Sequence, residues 1–228
     1  MARDELSAAA DEDTAEVYDP EPRWPAFVAI LAVGGLYAAL PDALTFGPQW
    51  LVPSLVTALL IPSVVAHHTG RHRWNTFFGI AVESVVTIGL IASVGLLVSA
   101  LPKHKEGPQE LLLSAGSLWI TNILVFALWY WRLDAGGPHQ RDKRPGHTEG
   151  AFLFPQMTMS RDALEEAGLR DWSPNFADYL FLAFNTSTAF SPTDVPVLAR
   201  WAKLLMMVQS VMSLLIIALL AARAVNML

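Results

Sequence analysis

The chain has 228 residues, more than half of them hydrophobic, and a positive mean hydropathy, so it holds more apolar length than one water-soluble core can bury. It contains no cysteine, which excludes disulfides, thiolate catalysis and cysteine-ligated metals. The net charge of −6 is local: residues 1–22 carry eight acidic residues against Arg3 alone, a balance of −7, and the remainder sums to +1.

Residues 1–22 are alanine-rich, lack an aromatic before Tyr18 and read as a solvated, disordered acidic tail. A basic start and an apolar stretch are both missing, so this is no secretory signal. Residues 23–133 then hold four apolar runs of bilayer-spanning length. They are continuous rather than alternating, which predicts helices and not a barrel. The first, Trp24 to Leu40, opens on an interfacial tryptophan and ends at Pro41-Asp42. The second, Trp50 to Ala66, leads into His67-His68-Thr69-Gly70-Arg71-His72-Arg73. His68 and His72 have the i, i+4 spacing of a helical metal pair, but Gly70 separates them and no carboxylate follows before Glu83. A basic juxtamembrane loop is the expectation there, and no metal site.

The third run, Phe77 to Leu101, carries Glu83 beside Ser84 and Thr87. A carboxylate inside a span is a functional candidate. Its place two turns from the helix start favours an interfacial residue that snorkels to the headgroups. The fourth, Leu111 to Trp131, has Thr121 and Asn122 near its middle, Asn122 being suited to an interhelical hydrogen bond, and closes on Trp129-Tyr130-Trp131. Asp134-Ala135-Gly136-Gly137-Pro138 stops it. Residues 134–173 form a polar connection in which Ser160 caps a short amphipathic helix to Ala167, with Gly168 beyond its end.

Residues 174–228 hold a short apolar segment from Asp178 to Phe190, a polar knot at Ser191-Pro192-Thr193-Asp194, and a long apolar helix from Val197 to Val225. Thr186, Ser187, Thr188, Ser191, Thr193 and Asp194 are the candidate pore-loop residues. Glu83, Thr121, Asn122, Asn185 and Gln209 are the candidate intramembrane polar residues. Asp178 to Phe184, followed by Thr188-Ala189-Phe190 and Thr193-Asp194-Val195, resembles the end of an uncharacterised bacterial multi-pass membrane family, a domain of unknown function. More distantly, the stretch resembles the pore module of tetrameric potassium channels. Aligned from Asp178, the pore-helix threonines of those channels fall on Thr186 and Thr188, and the closing aspartate of the filter falls on Asp194. Lys203, Gln209, Ser213 and Arg223 keep the spacing of the channels' inner-helix arginine, glutamate, hinge glycine and final arginine. Where the filter has Gly-Tyr-Gly, this chain has Ser191-Pro192-Thr193. Pro192 fixes its own φ and holds Ser191 extended, so a potassium filter cannot form. The resemblance implies cation permeation without potassium selectivity, and a tetramer.

The rival expectation is an ordinary six-span bundle in which Asn185 to Thr188 bond to neighbouring helices and Asp194 caps the last one, as in a non-conducting scaffold or accessory subunit. A secondary transporter using Glu83 or Asn122 is a third, weakened by the absence of an inverted repeat. No esterase elbow, zinc-protease motif, Walker loop or dinucleotide fingerprint occurs, so neither an enzyme nor a cofactor is expected. Aromatic and basic residues do not interleave on a soluble face, so nucleic acid is no partner. The lipid bilayer and further copies of the chain are the expected partners.

Charge asymmetry supplies the orientation. With the N-terminus cytoplasmic and six full spans, the Lys and Arg residues divide 11 inside to 4 outside. With the short segment re-entrant from the cytoplasm they divide 12 to 3, and the usual channel orientation reverses this to 3 to 12. The expectation is thus an all-α integral membrane helical bundle of the cell membrane. It comprises four spans, a pore-loop-like short helix and a long C-terminal helix, with a cytoplasmic N-terminus.

Overall fold

The computed structural model describes residues 21–100, 108–143, 150–170, 172–188 and 195–225. Among these the chain is an all-α bundle without strands. Its helices are α1 (Trp24–Ala38), α2 (Leu51–His68), α3 (His72–Ala100), α4 (Pro108–Leu133), α5 (Pro138–Arg141), α6 (Arg161–Glu166), α7 (Phe176–Thr188) and α8 (Arg200–Val225). Four of them, α2, α3, α4 and α8, are long and apolar enough to cross a membrane. That set differs from the four runs expected. α1 has only 15 residues, about 22 Å at helical rise and short of a hydrocarbon core of about 30 Å, whereas α8 has the full length.

α4 is the central helix: it packs against α1, α3, α7 and α8. The burial of Val125, Ala127, Leu128 and Tyr130, each without exposure, follows from that position. α2 and α3 form an antiparallel pair across Thr69–Arg71, where Gly70 takes a left-handed φ of 67°. His68 therefore ends one helix and His72 begins the next, which removes the single-helix geometry a metal pair would use.

Past Leu133 the chain reverses sharply, with Ala135 at φ 52°, Gly136 at 83° and Gly137 at 90°. Gly137 is required there, since a Cβ would lie 2.8 Å from the Arg132 carbonyl oxygen. The reversal brings Arg141 back under the end of α4, where its Nη1 donates to the carbonyls of Trp131 at 2.7 Å and Asp134 at 3.0 Å. A guanidinium thus satisfies carbonyls that a helix C-terminus leaves without partners.

The connection after α5 is less polar in fact than in sequence. Ala151, Phe152 and Phe154 are buried, and α6 lies beyond them with Ser160 Oγ accepting from Ala163 N at 3.2 Å, the expected cap. Phe152 pairs antiparallel with Val197, through Leu153 N to Pro196 O at 2.9 Å and Leu198 N to Ala151 O at 2.8 Å. Its ring also meets Tyr179 near the start of α7 and Trp201 at the start of α8. Both helices therefore begin at the end of the bundle where α4 finishes.

From that end α7 runs antiparallel to α4, with Phe176 on Trp131 and, further along, Phe184 on Trp119. It runs parallel to α8, since Ser187 lies beside Gln209. Its thirteen described residues carry it about 20 Å, and seven residues after Thr188, at Val195, the chain is back at the starting end. Phe176 and Val195, on either side of this segment, thus lie at the same end of the bundle.

Single cysteines introduced at the exposed positions Ala177 and Leu198 will react with an impermeant maleimide from the same side of the membrane. Labelling from opposite sides would show a full crossing.

Candidate functional site

The interior where α4, α7 and α8 meet is polar at a depth where lipid offers no hydrogen bonds. Gln209, without solvent exposure, is its centre. Its Nε2 donates to Ala183 O at 2.7 Å and Ser187 Oγ at 2.8 Å on α7, and its Oε1 accepts from the Tyr130 hydroxyl on α4. One turn along α8, Ser213 Oγ accepts from Asn122 Nδ2 at 2.7 Å. Asn122 also donates to Gln209 O at 3.4 Å, and its Oδ1 has no partner among the described residues. Buried polar groups in an apolar surround persist when they are mutually satisfied, so this chain of side chains fixes the depth and rotation of α7.

The candidate residues divide accordingly. Asn122, Ser187 and Gln209 meet in one network, as the interhelical role of Asn122 predicts. Thr121 is buried but bonds only within α4, its hydroxyl donating to Ser117 O at 2.8 Å. Thr186 is buried and donates to Leu182 O at 2.8 Å. Asn185 is half-buried, whereas Thr188 is exposed and donates to Phe184 O at 3.0 Å. Ser191, Thr193 and Asp194 lie outside the described residues, as do residues 1–20 of the acidic tail. Tyr130 and Ser213 complete the network without having stood out as site residues. Tyr130 reads as part of an aromatic belt, and Ser213 is one of many serines in apolar helices.

Glu83 lies elsewhere, between α3 and α4, and does not snorkel. Its side chain has no solvent exposure and accepts from Arg132 Nε. The guanidinium comes from the end of α4 and crosses over Gly79, where an added Cβ would collide with it. Glu83 Oε2 has no partner among the described residues. The carboxylate is held in by this partner, which sequence spacing on α3 alone could not reveal.

A second ionic cluster closes the end from which α7 enters. Arg141, 1% exposed, donates from Nη2 to Glu21 Oε2 at 2.8 Å and lies 5.0 Å from the Tyr179 ring centroid. The Trp131 indole donates to Glu21 Oε1. Asp134 accepts from the Tyr179 hydroxyl at 2.7 Å and from Ala151 N. Glu21 belongs to the acidic run in sequence, yet it is buried and paired, which corrects its assignment to a solvated tail. Burial pushes its carboxyl above the ordinary range, with the Arg141 charge and the two hydrogen bonds opposing that rise.

Between α1 and α2 at this same end lies a cleft, floored by α3 and α4 and walled by the Gly136–His139 turn.

Gln209→Leu removes three hydrogen bonds and orphans Ser187 and the Tyr130 hydroxyl. It should destabilise the purified protein by about 2–4 kcal/mol, at 1–3 kcal/mol for each buried group left unpaired, read as a lowered Tm in detergent. Arg141→Gln, which strands Glu21, should cost about 3–5 kcal/mol, and Arg141→Gln with Glu21→Gln should recover part of it.

No family model, no curated protein and no solved structure matches this chain.

Proposed function

We propose that the protein assembles in the membrane as a homo-oligomer in which α4, α7 and α8 of each copy surround a polar permeation path for cations. One observation carries the reading: a short helix enters the bundle, its last described residue is exposed, and by Val195 the chain is back at the end of entry. Irregular backbone at membrane depth is tolerated where protein or a water-filled cavity covers it, not against lipid. Thr188, the last described residue of α7, is exposed together with Phe181 and Phe184. Further copies of the chain would cover this edge, and a shared aqueous axis would solvate the Thr188 hydroxyl. The negative end of the α7 dipole favours a cation there.

Orientation follows from charge. Arg23, Arg71, Arg73, Arg132, Arg141, Lys143, Arg161, Arg170, Arg200 and Lys203 all belong to the end from which α7 enters. The positive-inside rule makes that end cytoplasmic in the cell membrane, and the N-terminal tail with it. The re-entrant helix then approaches from the cytoplasm, opposite to the potassium-channel pore module. Together with Ser191-Pro192-Thr193 in place of the filter's Gly-Tyr-Gly, this leaves potassium selectivity outside the proposal.

A non-conducting membrane scaffold is the second reading. It draws on the hydroxyls of Thr186 and Ser187, both satisfied within one chain rather than aimed at an axis.

Purified protein in liposomes should pass monovalent cations down a gradient, and Thr188→Trp should block that flux while Tm and oligomer mass stay unchanged. A monomer without flux overturns permeation and leaves the scaffold.

A further inference from the structure

The cleft between α1 and α2 is distinct from the α4–α7–α8 interior and has a chemistry of its own. Its polar wall consists of the guanidinium groups of Arg23 and Arg132 and the imidazoles of His67 and His139, and among the described residues no carboxylate lines it. The acids that neutralise the two arginines stand outside the lining, Asp142 beside Arg23 and Glu83 beneath Arg132.

Two features show donors left over. Arg132 donates to Glu83 from Nε, and no hydrogen bond is made by the fork of its Nη nitrogens among the described residues. That side chain remains 11% exposed, and its Nη nitrogens lie over Gly79, which also lines the cleft and has room for them only because it lacks a Cβ. His139 Nε2 is buried and likewise has no partner among the described residues. The ring is held in position by stacking on His72, with centroids 3.5 Å apart.

The rest of the lining is apolar where it leaves the charged end: Phe27, Ile30 and Leu60 face the space between α1 and α2. A guanidinium fork matches paired oxygens of a phosphate or carboxylate, and a charge-assisted bond of this kind is about twice as strong as a neutral one. An apolar channel beside such a fork matches a hydrocarbon tail. A cleft so lined, at the basic end of a bundle with membrane-spanning helices, suits one class of ligand.

We propose that this cleft binds an anionic phospholipid, its phosphate on the Arg132 fork and His139 and its acyl chain against Phe27, Ile30 and Leu60. Phosphate chemistry selects the site, and the bilayer supplies the molecule. Basic clefts between helices on the cytoplasmic side of a membrane are where such head groups are recognised.

The test uses the full chain in detergent with three probes: phosphatidylglycerol, phosphatidylcholine and inorganic phosphate. Phosphatidylglycerol should raise Tm above the value in phosphatidylcholine. Native mass spectra should retain it as a bound adduct in preference to the zwitterionic lipid. Thr76→Trp fills the cleft from an exposed position and leaves the ion pairs intact; it should abolish both effects. Glu83→Gln with Arg132→Gln removes the fork without stranding a buried carboxylate. It should weaken retention about tenfold or more, the worth of a hydrogen bond to a charged group. Charge attraction at the outer Arg71 and Arg73 would survive Thr76→Trp, so adducts that persist in both variants overturn the site. A Tm rise with inorganic phosphate and none with phosphatidylglycerol overturns the lipid in favour of a free anion. No preference over phosphatidylcholine and no response to phosphate overturn both.

Discussion

The end of the bundle where α7 and α8 begin depends on a guanidinium placed beneath the end of α4. Arg141 takes up the carbonyls of Trp131 and Asp134, pairs with Glu21 and lies against the Tyr179 ring. It thereby joins the N-terminal approach, the central helix and the first turn of α7 at one point. Asp134 extends the joint to Ala151 N and the Tyr179 hydroxyl. A buried ion pair adds little net stability compared with apolar packing, but removing either partner is costly. What such a joint contributes is specificity: few other arrangements of this end satisfy all its charges. With it in place, Phe152 can pair with Val197, and α7 and α8 are bound to begin side by side.

The second constraint works at depth. α7 has too few residues to be held by apolar area alone in a solvent as apolar as its own side chains. Gln209 supplies what area cannot, since it bonds to Ala183 and Ser187 on one side and to Tyr130 on the other. The same side chain makes Ser187 a structural residue and leaves Thr188, one position on, at the exposed edge. A permeation path and an inert scaffold share this network, and they differ in what stands against that edge.

Much of the fold was legible because membrane helices announce themselves by length and apolarity. The helix at Trp24, the reversal at Gly136-Gly137 and the Ser160 cap all follow from local chemistry, as do the short and long helices after Asp178. The interhelical part played by Asn122 was legible too, since an amide in hydrocarbon must find a partner. Glu83 was not, because its partner Arg132 lies on another helix and spacing along α3 favoured a snorkelling carboxylate. Glu21 was missed for the same reason: within an acidic run nothing marks the one residue that a distant arginine will claim.

The amino-acid sequence by itself determined that this is an all-helical chain of several membrane-length segments, with a basic bias at one end and no potassium filter. These properties depend on hydrocarbon thickness, charge and the φ of proline, which act within a few residues. Only the tertiary structure decided that the start of α7 and the chain from Val195 onward lie at one end of the bundle. Thirteen residues of helix leave that placement open. The choice was made by pairings between residues far apart in sequence, Phe152 with Val197 and Tyr179 with Asp134, which put both ends of the segment on one side.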